Sequence, residues 1–149
     1  MRPQPYQVIE YEDIANKIWL PQDPEMTLWT KYYTRELRRK NKQKLTIWPA
    51  HCLIGSPGHA VVQTVNDAMQ AWATRRQRQV QYLCKGENMR TEMYSVIKAE
   101  VVDDRDASTG IDWNLLSELM IADKVFIGGQ ALRYVVAIYY YCHLLLLLL

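Results

Sequence analysis

Residues 125–137 read VFIGGQALRYVVA. An apolar run, a glycine pair and then helically spaced apolar residues predict a strand that turns sharply into a helix, with the strand over Lys124 to Ile127 and the helix over Gln130 to Tyr141. Turns of this kind sit at the carboxyl edge of parallel sheets, where α/β proteins hold their reactive groups. The residues after the turn, Leu132, Arg133, Tyr134 and Val135, include no obvious nucleophile.

Working outward, the same alternation recurs. Asp23-Pro24 is a helix start, with aspartate as N-cap and proline at the first helical position. Met26, Trp29, Tyr33 and Leu37 then repeat at helical spacing, with Leu28 and Tyr32 beside them, up to a basic end near Lys42. Lys44 to Trp48 (KLTIW) reads as a short strand stopped by Pro49. Gly55-Ser56-Pro57-Gly58 is a turn, and a helix from about His59 to Arg76 is expected to bury Val61, Val65, Ala68, Met69 and Trp72. Val80 to Cys84 is the next expected strand. A loop with a short helix near Thr91–Val96 follows, then a helix from Asp112 to about Met120. Helices alternating with strands in this way predict an α/β fold, a central parallel sheet covered by helices on both faces. No repeat or domain boundary interrupts residues 1–149, so a single domain is expected.

The chain has 149 residues, 49% of them hydrophobic and 23% charged, enough to bury a core. A net charge of +2 gives no support to nucleic acid or a charged membrane surface as partner. The basic runs Arg35, Arg38, Arg39, Lys40, Lys42, Lys44 and Arg75, Arg76, Arg78 read as solvated helix ends, favourable near the negative helix pole. Cys52, Cys84 and Cys142 form neither a disulfide framework nor a CxxC pair, which fits a reduced, cytoplasmic setting. MRPQPYQVIEYED has no apolar core and reads as neither signal peptide nor anchor. The last fifteen residues, VVAIYYYCHLLLLLL, fall short of the ~18–20 that span a bilayer, so no membrane span is expected. Their six leucines carry no amphipathic pattern. They suggest an artificial or frame-shifted end, and a route to homo-oligomers or aggregation if exposed.

Three expected strand ends open on one sheet edge: Pro49 to Cys52, Lys85-Gly86, and Gly128 to Val135. Taken alone, an isolated His51-Cys52 pair is more often structural than liganding, since a metal needs three or four ligands. Lys85 is either a solvated strand end or a semi-buried cation that tunes a nearby nucleophile.

On these residues a resemblance enters. IWPAHCLIGSPGHAVV (47–62) is similar to the WPxHCxxGxxGxxL stretch of nicotinamidases and related isochorismatase-like cysteine hydrolases. LCKGENMRTEMYSVIKAEV (83–101) resembles their KGxNxxTExYS segment, and FIGGQALRYVV (126–136) their GQAKSHCV segment, which carries the nucleophilic cysteine. The likeness runs over about residues 6 to 141, in the family's order.

The resemblance implies a three-layer α/β/α sandwich with a central parallel sheet, and hydrolysis of a small-molecule amide of the nicotinamide class. In that chemistry a thiolate attacks the carbonyl, an aspartate shuttles the proton, a lysine favours the thiolate, and backbone N–H groups hold the oxyanion. A divalent metal (zinc, iron or manganese) completes the family's site. By resemblance Lys85 is the catalytic lysine, His51 a metal ligand and Trp48 a wall of the substrate pocket. The Gln130–Ala131 bond matches a cis peptide, with Ala131 and residue 135 giving the oxyanion N–H groups.

The departures are as specific as the likeness. Val135 stands where the family has its cysteine, and a hydrocarbon cannot attack a carbonyl. Cys142 lies seven residues further on, roughly 10 Å along a helix axis, too far to replace it. Cys52 follows the ligand histidine and is not at the nucleophile's place. The resemblance places the family's first strand, catalytic aspartate and remaining metal ligands before Met1, so no bound metal is expected. These observations predict a catalytically inactive relic or fragment of a nicotinamidase-like enzyme. An active amidohydrolase and a pseudoenzyme kept as a binding or assembly module stand as alternatives.

Overall fold

The computed structural model describes residues 3–129. Its order is β1 (Val8–Ile9), α1 (Tyr11–Ala15), α2 (Thr27–Arg39), β2 (Leu45–Thr46), α3 (Gln63–Arg76) and α4 (Trp113–Met120), with single 3-10 turns at Pro24–Met26, Pro57–His59 and Ala107–Thr109.

The best-formed element is α2. The Asp23 carboxylate accepts the Glu25 N–H at 2.9 Å and Pro24 opens the 3-10 turn that feeds the helix, as the Asp-Pro pair predicts. Tyr33 and Leu37, four residues apart, share its buried face. With Val101 they form the core cluster, and Trp29 and Leu45 pack against it. The basic end of α2 is neutralised rather than open: Arg39 pairs with Glu36, Arg38 with Glu12 of α1, and Lys42 with the buried Glu100 at 3.0 Å.

The segment 88–112 is the other half of the core, and it is fixed without a long helix or strand. It is rich in Ser, Thr, Asp and Asn, whose side chains bond the backbone and substitute for regular ladders. Thr91 Oγ1 donates to the Val101 carbonyl at 2.7 Å, Thr109 Oγ1 accepts the Asp103 N–H at 2.9 Å, and the Asn88 amide donates to Asp106 at 2.8 Å. The buried Asp103 carboxylate takes the Arg105 guanidinium at 2.8 Å, with Arg90 at 3.5 Å. Both guanidinium groups lie over the Trp29 ring, and the Trp29 indole N–H donates to the Arg90 carbonyl at 2.7 Å. One aromatic ring thus joins the 88–112 segment to α2.

The expected parallel sheet is not found among the described residues, and the three-layer α/β/α sandwich is therefore overturned. Among the described residues the only sheet has two strands, β1 and β2, paired antiparallel with Val8 opposite Thr46 and Ile9 opposite Leu45. Two of the expected strands, Val80 to Cys84 and Lys124 to Ile127, have no strand pairing. The physical reason is burial. A parallel strand is covered on both faces, whereas Tyr82, Leu83, Phe126 and Ile127 are all exposed, Phe126 by 91%. The helix meant to cover them, α3, starts at Gln63 instead of His59 and buries no residue; Val61, Val65 and Trp72 face solvent. The short helix near Thr91–Val96 is likewise absent, replaced by turns. The KLTIW strand is present as its central pair, and α4 begins as predicted, with the Asp112 carboxylate accepting the Leu115 N–H at 3.0 Å. The helix expected over Gln130 to Tyr141 lies outside the described residues. Among the described residues no helix is long and apolar enough to cross a membrane.

Candidate functional site

β2 runs into Trp48 and Pro49, and proline ends the pairing because it has no N–H to donate. The chain then folds back on itself at His51. Its Nδ1–H donates to the Pro49 carbonyl at 2.6 Å, which leaves Nε2 as the free edge of the imidazole. The His51 ring lies 5.9 Å from the Trp48 ring, and Tyr6 meets Trp48 edge-on at 5.8 Å. Cys52 follows with a left-handed φ of 49°, uncommon for a residue with a Cβ.

Residues 82–87 come alongside this turn. Gly86, at φ 76°, supplies the left-handed conformation that turns the chain after Lys85. The Lys85 ammonium reaches back across the segment and donates to the Met93 carbonyl at 3.2 Å and the Tyr94 carbonyl at 2.9 Å. A cleft of about 970 Å³ opens between the two stretches, with His51, Cys52, Lys85, Glu92 and Tyr33 in its walls. The residues singled out from two separate motifs, His51 and Lys85, therefore share one cavity. Trp48 is not in the lining of the cleft and lies beside the His51 ring. Ala131, Val135 and the Gln130–Ala131 bond lie outside the described residues.

The electrostatics of the cleft are those of charges held partly out of water. Lys85 is exposed as a residue, yet partial desolvation of its ammonium pushes its pKa down, against the opposing pull of Glu92 and Cys52. Burial pushes Glu92 the other way, up from the usual carboxyl range, and Lys85 and His51 oppose the shift. Burial likewise holds the Tyr33 hydroxyl far above its ordinary pKa, partly offset by the Glu92 N–H that donates to it at 3.2 Å. Tyr33 is thus an uncharged hydrogen-bonding group at neutral pH.

Much of the KGENMRTEMYS motif proves to be scaffold. Asn88 and Thr91 spend their side chains on Asp106, the Arg90 N–H and the Val101 carbonyl, and Tyr94 and Ser95 are buried. Glu92 is a fixed position of the KGxNxxTExYS motif to which the sequence reading gave no role. Its signal was its place seven residues after Lys85, next to the threonine that anchors the turn. Tyr33 was legible only as a core residue of α2.

The donors present do not fit the metal site that the resemblance implies. Among the described residues no three His, Cys, Asp or Glu side chains come together in a way that would hold an ion. His59 and Cys84 also line the cleft but complete no such set with His51. Comparison with protein-family models, with curated proteins and with solved structures finds no match to this chain.

Proposed function

We propose that this chain is a catalytically silent relative of the nicotinamidase-like amide hydrolases. The observation that carries the proposal is the meeting of His51 and Lys85, from two separate motifs, in one cleft. The resemblance assigns both to an amide-hydrolysing site. Silence follows from chemistry. Val135 offers no lone pair at the nucleophile's place, and no aspartate lines the cleft among the described residues. Cys52 and Cys84 do line it, but neither stands where the family's thiol stands. Incubation of the full chain with nicotinamide should release no ammonia above a protein-free blank. Steady release that scales with protein and is lost in Lys85→Met would overturn the proposal.

A second reading, an assembly module, draws on a different observation. Trp113, Met120, Ile121 and Phe126 are mostly exposed, and α3 buries nothing. Large apolar side chains left in water are the common raw material of interfaces. Concentration-dependent association that is lost on replacing these residues by polar ones would favour this reading.

A further inference from the structure

We infer that the cleft takes a small organic carboxylate in preference to the corresponding neutral amide, held on the free N–H of the Lys85 ammonium. The inference rests on the proposed function in treating the cleft as a ligand site, and adds the charge and class of the ligand.

The geometry points to it through one missing partner. An ammonium has three N–H donors. Lys85 places two on the Met93 and Tyr94 carbonyls, at 3.2 and 2.9 Å, and both acceptors are neutral. Among the described residues it makes no ion pair, whereas Lys40, Lys42 and Lys44 pair with Glu36, Glu100 and Glu10. Glu92 acts on this ammonium through space without forming an ion pair, and an anion that reaches it adds the direct contact that Glu92 does not make. The third N–H is left for that anion. The cleft is roomy enough: about 970 Å³ is near the upper end of the usual range for small-molecule pockets. Tyr82 lines it with its ring exposed to a planar ligand, and the Nε2 edge of His51 is unspent.

Glu92 works against the anion. It lies within electrostatic reach of Lys85, and Glu87 and His59 also line the cleft. Burial already disfavours the charged form of Glu92, which weakens the opposition as the pH falls. A neutral amide carbonyl gains one hydrogen bond from the ammonium, while a carboxylate gains that bond and the attraction of a full opposite charge.

Benzoate and benzamide share size and ring and differ in charge, so they isolate the effect. The test is titration of the ¹⁵N-labelled full chain with each, followed by amide chemical shifts. Benzoate should bind on the order of tenfold more tightly than benzamide, the worth of one charge-assisted bond. The shifts should centre on Lys85, Glu92 and Met93. Lys85→Met should abolish the preference, and Lys85→Arg, which keeps the charge, should retain it. Should Lys85→Met not fold, the native chain still decides: the benzoate-to-benzamide ratio must shrink as sodium chloride is added. Equal or tighter benzamide binding, no binding of either, or a preference that survives Lys85→Met or salt would overturn the inference. Such a failure would leave catalytic silence standing. Ammonia release would remove silence without touching the carboxylate preference.

Discussion

The Lys85 ammonium donates to the Tyr94 carbonyl at 2.9 Å and ties residues 82–87 to the turn at 91–95. One lysine thereby borders the cleft and fastens its wall. Without it, the irregular 79–87 segment loses two hydrogen bonds that hold it to the 91–95 stretch. Lys85→Met should raise amide hydrogen exchange over residues 79–87 and leave α2 protected. Unchanged exchange over 79–87 would show that the lysine fastens nothing.

Thr91→Val tests the scaffold directly. The buried hydroxyl both donates to the Val101 carbonyl and accepts its N–H, at 2.7 and 3.4 Å, so valine leaves buried backbone groups unpaired. A loss of about 1–3 kcal/mol is expected, read as a lower urea midpoint with an unchanged slope.

Asp103 sets an acid limit. Its hydrogen bonds with Arg105 hold its pKa below the ordinary carboxylate value. The sign follows from linkage. The contribution is present above the unfolded pKa of about 3.9 and is lost as pH falls through the lower folded value. Asp103→Asn should lower stability at neutral pH and make the remaining stability less sensitive to acid. Parallel stability–pH curves for the two proteins below pH ~4 would contradict this.

Glu92 carries the opposite sign. Burial raises its folded pKa, so its contribution is favourable below the unfolded value near 4.3 and is lost as pH rises through the folded one. Glu92→Gln should therefore stabilise the chain at pH ~7 and lose that advantage below pH ~4. The same change should tighten benzoate binding at neutral pH, since it removes the carboxylate that opposes the ligand. Denaturation curves at the two pH values, with benzoate titrations beside them, check both halves.

How much of this was legible depends on where the physics is local. The Asp23-Pro24 start, the Tyr33–Leu37 stripe and the Asp112 cap follow from side chain and backbone within one or two turns, and the structure has them. The KLTIW strand was legible, but its partner was not. Val8–Ile9 is a two-residue strand with no alternation to announce it, and its pairing with Leu45–Thr46 is long-range. VQYLC and KVFI carry strand-like composition, yet strand formation requires a neighbour and burial, which Tyr82 and Phe126 lack. The 88–112 core escaped notice because its order comes from hydroxyl and carboxylate bonds to the backbone, which have no period. At the site, His51 and Lys85 were found through motif likeness and do share a cleft; Glu92 belongs to the same motif as Lys85 but was given no role, and Tyr33 enters the cleft through folding alone.

The most direct test of the account is ammonia release from nicotinamide by the native full chain and by Val135→Cys, each against a protein-free blank. Blank-level release is expected from both, because among the described residues a restored thiol still has no aspartate in the cleft and no fitting metal donor set. Turnover by either protein that scales with its concentration and disappears in Lys85→Met would contradict it.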